Sequence, residues 1–546
     1  MAQAAKATQK AAQKASARGN NALARGDVVL ALKSFQQARK VAPLNFDACF
    51  GLARALHAAG DVAGAVDAFE HALGTAPDEP RALIALGSLA LQLDMPEQAT
   101  GFFQIVARLE PGSVDATLGL SRAMMREDRF EDASGLVQSA LQINQEAAPL
   151  WNQMGVIRSE LEDWQNAETF LAEAIRLDPE NQAAIGNLAD VLFATGQHAE
   201  ALDAFTEAGT IGKANPTLQF NHAMAALAVG DVKTGWKHYE ARLNPAYTGH
   251  VRQDVPLKSW DGRPMKGRGG LAVIAEQGVG DELLMSHLAP FAAEQSGGPV
   301  LWEADPRLIS LLARSFPDIE FQPWQKGTKP GLARDHDWLK ARKDLTRFIP
   351  AASLMPLYAG TADGIAPVAD HLLKPDPDLM EKWQARVADA GAGLKIGLSW
   401  TSSLQNRFRN RGYVALGDLA PVLTLPGVTL FSLQYGDVAE DIARAEAEFG
   451  VKIHTYDDLD LKDDFENTAA LTAAMDLVIG PTNTARQVAA GLGVETLVLT
   501  RLPYELDLGQ DRNPMFPHMQ NFTRLPDADW APAIQRIAEA VRGKLP

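Results

Sequence analysis

Two short stretches place permissive backbone and charge, or hydroxyls, directly after an apolar run, and a third does so with donors at the start of a small-residue segment. The first is AEQGVGDELL, Ala275 to Leu284. Gly278 and Gly280 allow close backbone approach there, and Asp281 stands where a helix would open. An aspartate at that point is either an ordinary helix cap or a carboxylate placed to accept a proton. The second is SWTSSLQNRFRNRGY, in which Thr401, Ser402 and Ser403 precede Arg407, Arg409 and Arg411. Three arginines within five residues, in a chain of net charge −17, are either a solvated loop or an anion site. The third is GPTNTARQVAAGLG, Gly480 to Gly493, where Thr482, Asn483 and Thr484 offer hydroxyl, amide and backbone donors at a helix start. An exposed helix N-terminus gives an anion only ~0.3–1 kcal/mol. Guanidinium bonds to an anion are roughly twice as strong as neutral ones, so arginine would dominate any such site.

Composition bounds what these corners can serve. At 546 residues the chain exceeds one hydrophobic core and should contain several domains. Its 46% hydrophobic and 22% charged residues are those of a globular protein. A pI near 5.2 argues against a general nucleic-acid or anionic-membrane surface. One cysteine, Cys49, permits no internal disulfide and no cysteine metal site, which fits a reducing compartment. The eleven histidines are scattered and form no ligand-spaced cluster, so no metal is expected. No run approaches the ~18 apolar residues of a membrane span. The opening MAQAAKATQKAAQKASARG is basic but lacks the apolar centre of a secretory signal, so a cytoplasmic location is expected.

The elements that must position the corners fall into two halves. Phe35, Phe69 and Phe103 recur every 34 residues, as do Ala31, Ala65 and Ala99, and Pro43, Pro77 and Pro111. The register continues through Ala133, Ala167 and Ala201, with Phe205 and Tyr239 at the aromatic position. Small residues let paired helices approach, the aromatic fills the gap, and proline ends the second helix. Period and pattern resemble the tetratricopeptide repeat, with six repeats and a degenerate seventh over residues 12–243. Such units bury their apolar faces only by stacking into a superhelix, whose groove commonly holds a polypeptide.

Residues 244–269 are rich in Pro, Gly and charge without periodicity, and read as a linker. Beyond them, apolar strands alternate with amphipathic segments in two series, 270–390 and 391–546. Strands this apolar are buried on both faces, as in parallel doubly wound sheets. Two such units in tandem predict a crevice between their C-terminal strand ends, and all three corners leave strands at that end.

At this point a resemblance becomes specific. The segment from about Trp260 to Phe522 resembles the heptosyltransferase-like branch of GT-B glycosyltransferases. AEQGVGDELL is similar to the loop whose Gly-Asp carries the catalytic base of that branch. MDLVIGPTNTARQVAAGLGVETLVL is similar to the stretch that commonly reads Asp-Thr-x-x-x-His-Leu-Ala. Here Thr482-Asn483 replaces the Asp-Thr, and Gln487 replaces the His. The resemblance implies an all-α repeat superhelix followed by a GT-B fold of two Rossmann-like α/β domains. It implies Asp281 as general base in an inverting, metal-independent sugar transfer. Gly278, Gly280, Thr401, Ser402, Ser403, Arg407, Arg409, Arg411, Thr482, Asn483 and Thr484 would surround the donor. Gln434 and Tyr435 either line its nucleotide pocket or simply end a strand. Glu505, Asp507 and Asp511, in PYELDLGQDRN, receive no role from spacing.

Repeats fused to such a half resemble bacterial protein glycosyltransferases that modify flagellin. That implies transfer of a nonulosonic acid of the pseudaminic-acid type from a CMP-activated donor to Ser or Thr, with flagellin or another polypeptide held by the repeats. No cofactor is implied beyond the nucleotide sugar. Two other classes stay open: a glycan-building enzyme acting on lipopolysaccharide, and a non-catalytic repeat scaffold with a degenerate sugar-transferase half.

Overall fold

The computed structural model describes the chain except residues 1, 212–214, 248, 252, 266, 268, 277, 329–332, 360–366, 369–371, 403–406, 527 and 546, and the side chains of 2–8 and 408. The chain divides into two compact units, Met1–Val191 and Leu192–Pro546.

The first unit is a succession of helices, such as Phe46–Ala58, Val62–Thr75, Pro80–Gln92 and Pro96–Leu109. The 34-residue period has a direct packing cause. Ala31, Ala65, Ala99, Ala133 and Ala167 are each 0% exposed, so no larger side chain fits the helix contacts. The Phe35 ring lies between Gly19 and Gly51, and Phe103 between Gly87 and Gly119, where a Cβ would overlap the ring. Each wedge therefore joins its own repeat to the next. Side chains cap the helix starts, as Asp61 does for the Gly64 amide at 2.9 Å and Asn45 for Ala48 at 2.9 Å.

The second unit holds helices His198–Thr210, Pro216–Ala228 and Val232–Tyr239, then two parallel sheets. Strands are β1 (Lys258–Ser259), β2 (Gly270–Ile274), β3 (Val300–Ala304), β4 (Glu320–Pro323), β5 (Gln325–Lys326), β6 (Arg334–Asp335) and β7 (Leu345–Pro350). A second series comprises β8 (Leu394–Leu398), β9 (Val428–Ser432), β10 (Ile453–His454), β11 (Leu477–Pro481), β12 (Glu495–Thr500) and β13 (Met519–Thr523). The first sheet runs β1-β7-β2-β3-β4 and the second β10-β9-β8-β11-β12-β13, while β5 and β6 form a small antiparallel pair. Every pairing in the two larger sheets is parallel. The connection direction reverses between β2 and β7 in one sheet and between β8 and β11 in the other. Parallel sheets open a ligand crevice at such reversals, beyond the C-terminal strand ends. Asp281 follows β2, Thr401 follows β8 and Asn483 follows β11.

Sequence periodicity places the domain change at residues 244–269, whereas compactness changes at Val191/Leu192. The cause is a shared core: Ala223, Leu227, Trp236 and Tyr239 of the last repeat pack in one cluster with Trp260, Leu271 and Val273. After β2 the chain forms a helix, Val279–Met285, passes a 3-10 turn at Ser286–Leu288, and resumes as Ala289–Ser296. The chain ends in the helix Ala531–Arg542. Its buried residues pack with Ile396, Val422 and Leu497 in the second sheet's own core. No helix among the described residues is long and apolar enough to cross a membrane.

Candidate active site

Gly278, not Asp281, caps the helix Val279–Met285, which puts Asp281 inside the first turn. That helix packs on Thr484–Gly491 of the other lobe. Gln487 lies flat against Gly280, leaving no room for a Cβ there. This contact explains the second glycine of GVGD and lets Gln487 Nε2 donate to Asp281 Oδ1 at 3.1 Å. Tyr504 Oη donates to the same oxygen at 3.0 Å. Burial pushes the Asp281 carboxyl above the usual aspartate range, against the Tyr504 hydrogen bond and the charges of Arg486 and Arg409. A carboxylate so placed keeps its proton to higher pH than an ordinary aspartate and can serve proton transfer.

Arg486 is the residue that motif reading passed over. Its side chain is 1% exposed, and among the described residues Nε, Nη1 and Nη2 have no hydrogen-bond partner. The guanidinium lies 4.6 Å from the centre of the Tyr504 ring. Buried guanidinium groups are ordinarily paired, because an unmet charge away from water is strongly unfavourable. Only its context reveals it, since the sequence shows one arginine in a run of small residues.

Two of the PYELDLGQDRN acids, Glu505 and Asp507, lie within reach of the Arg486 charge, while Asp511 is exposed. Glu505 Oε1 accepts from Tyr239 Oη at 3.2 Å, and Asp507 Oδ1 accepts from Asn513 Nδ2 at 2.8 Å. Burial and the neighbouring Asp281 charge raise the Glu505 carboxyl from 4.5 to about 7. A folded-state value above the unfolded one stabilises below pH 4.5, and that stability is lost as pH rises through about 7. Glu505→Gln should therefore melt at a higher temperature than wild type at pH 8, with the gap closing at pH 4.5. A difference in melting temperature that stays constant across that range would remove Glu505 as the cause.

The remaining corner residues divide into builders and exposed donors. Gln434, 3% exposed, accepts the Trp400 and Thr401 amides at 2.9 and 3.0 Å and donates to the Tyr435 carbonyl at 3.0 Å. Its amide joins the β8 and β9 corners, and the same residue lines the cleft beyond β9. Asn483 likewise caps Thr484–Gly491 and donates to the Thr401 carbonyl at 3.0 Å and to Ser399 Oγ at 3.2 Å. Ser402 Oγ and Tyr435 Oη lie 2.8 Å apart. Thr482 is exposed and Thr484 half-buried at the open side of the corner. Arg407 and Arg409 are exposed and Arg411 half-buried, and the charge of Arg409 acts on Asp281. Ser403 lies outside the described residues.

Beside these corners a cleft of about 800 Å³ opens beyond β9 and β10. Gln434, Tyr435, Asp437, Lys452, Tyr456 and Asp458 line it. Its volume and mixed lining suit a nucleoside-sized ligand. Among the described residues no group of three His, Cys, Asp or Glu side chains is placed to hold a metal ion.

Comparison with known proteins adds the following. Residues 16–80 and 160–227 match the tetratricopeptide repeat family. The protein FlbA of Caulobacter vibrioides is 32% identical over 498 residues, spanning 90% of this chain and 83% of that protein. The repeat-containing protein YpiA of Bacillus subtilis is 23% identical over 37% of this chain and 47% of its own length. Among solved structures, a repeat protein of Thermus thermophilus, TTC0263, is 24% identical, covering 34% of this chain and all of that one, with a TM-score of 0.32.

Proposed function

The chain belongs to the family of the Caulobacter vibrioides protein FlbA, and from that premise we propose that it is a protein O-glycosyltransferase whose repeats hold its polypeptide acceptor. The observation that carries this reading is the nearness of Asp281, a carboxyl raised by burial, to the charge of Arg486, a buried guanidinium with no acceptor among the described residues. One can take a proton and the other can meet an anion. Both stand where the reversal points of two parallel sheets, here assigned to a GT-B fold, face each other. The cleft beyond β9 supports a nucleotide on the same side.

In the proposed reaction an acceptor Ser or Thr hydroxyl attacks the anomeric carbon of the donor sugar. Its proton passes to Asp281 as the new carbon–oxygen bond forms. The bond from the anomeric carbon to phosphate breaks, and its electron pair leaves with the nucleotide. Direct displacement inverts the anomeric centre. In this reading exposed Arg409 and the donors at Thr482 and Thr484 meet the departing phosphate. A donor with one phosphate and an acidic sugar, such as a CMP-activated nonulosonic acid, presents two anions to a site with more than one arginine. The Arg486 guanidinium lies over the Tyr504 ring, so the same tyrosine touches both the proposed base and the proposed anion site.

Incubating the protein with CMP-pseudaminic acid and flagellin should raise the intact mass of flagellin by one sugar residue per modified Ser or Thr. Donor cleavage without a flagellin mass change, but with sugar on lipopolysaccharide, would assign a glycan acceptor. No donor cleavage with either acceptor would overturn the reading.

A further inference from the structure

The repeat array ends inside the candidate site, not before it. After helix Val232–Tyr239 the chain makes a 3-10 turn, Glu240–Leu243, whose Arg242 is 6% exposed. Arg242 Nε and Nη2 each donate to a Glu276 carboxylate oxygen, both at 2.9 Å. Glu276 is 8% exposed and belongs to AEQGVGD, the corner that carries Asp281. Its Oε1 also accepts the Ala352 amide at 2.9 Å, from the segment following β7. Arg242 Nη2 reaches that same segment at Ser353 Oγ, 2.8 Å away, and Nη1 donates to Glu240 at 2.7 Å. One fork therefore ties the two strand ends that flank the reversal point of the first sheet.

A second link runs parallel to it. Tyr239, beneath the Arg242 guanidinium at 4.9 Å, donates to Glu505, whose neighbour Tyr504 donates to Asp281. Asp281 is thus approached from the last repeat along its own loop and along the loop that supplies its hydrogen-bond donor.

We propose that Arg242 is a positioning residue for the proposed sugar transfer, holding Glu276 just past β2 so that Asp281 faces the donor. A planar, always-charged fork suits this task, because two parallel bonds define an orientation that a point charge does not. A buried ion pair is weak evidence of stabilisation by itself, and fixing geometry is a better-founded use for it. Small displacements of a reacting group reduce rate steeply. The inference rests on Asp281 being the base.

Arg242→Met alone would leave Glu276 buried and unpaired, so the informative variants are Arg242→Lys and the double change Arg242→Met with Glu276→Leu. Melting temperature, the Kd for CMP-pseudaminic acid, and kcat for transfer to flagellin are measured on the full chain. The expected result for the double variant is a near wild-type melting temperature, a donor Kd within about 2-fold, and kcat lower by about 10²-fold. Arg242→Lys, which keeps the charge but loses the fork, should fall between it and wild type. A folded double variant with wild-type kcat overturns the proposal, as does a wild-type kcat in Arg242→Lys. Loss of donor binding in parallel with kcat overturns it too, since that marks general disruption. Should Asp281→Asn itself retain full activity, the base assignment fails instead, which separates the two claims.

Discussion

Asp281→Asn should lower kcat for sugar transfer by ~10²–10⁴-fold while leaving the donor Kd nearly unchanged. Asparagine preserves the volume and can still accept from Gln487 and Tyr504, which meet Oδ1 at 3.1 and 3.0 Å. It has no basic oxygen for the acceptor proton. The split between kcat and Kd separates a transition-state role from binding. The pH profile gives an independent check. Because burial raises the Asp281 carboxyl, the wild-type rate should increase with pH above the ordinary aspartate range, as the carboxylate form fills. The sign follows from a base being active only when deprotonated. A variant with wild-type kcat, or a rate that falls as pH rises over that range, would remove Asp281 from the role.

Arg486→Met should weaken donor binding roughly 10- to 150-fold, the equivalent of about 1.5–3 kcal/mol for hydrogen bonds to a charged group. Among the described residues the guanidinium makes no hydrogen bond, so little of the native network is lost with it. Its charge nevertheless acts on Asp281, Glu505 and Asp507, pulling each carboxyl down against burial. Arg486→Lys is therefore the companion variant, since it retains that charge and removes the fork. Calorimetric titration with CMP-pseudaminic acid should rank affinity as wild type, then lysine, then methionine. Equal affinity in all three would show that the orphaned donors serve something other than the donor's anion. Melting curves without donor test the same point: wild type should gain more from added donor than either variant.

Local sequence made some of this site legible. AEQGVGD announced close approach through its glycines, and the approach proves to be Gln487 lying against Gly280. The Thr482–Thr484 run announced a helix start, which Asn483 caps. Two roles were not legible, because hydrogen-bond partners distant in sequence decide them. Gln434 and Asn483 look like ligand-facing amides by type and position, yet their amides are used between strand ends. Arg486, Tyr504 and Glu505 stand outside any spacing pattern and enter only because two lobes bring 281 and 486–505 together.

What the sequence determined by itself is the periodic part. A 34-residue step of alanine and phenylalanine leaves the helices one way to stack, because glycine clefts and aromatic wedges match only in that register. Unbroken apolar runs likewise require parallel strands buried on both faces. What only tertiary structure decided is where one body ends and which side chains share a site. The last repeat buries Trp236 and Tyr239 against the sheet, and that burial carries Arg242 to Glu276. Periodicity reports which face of an element is apolar, and is silent about which other face will cover it.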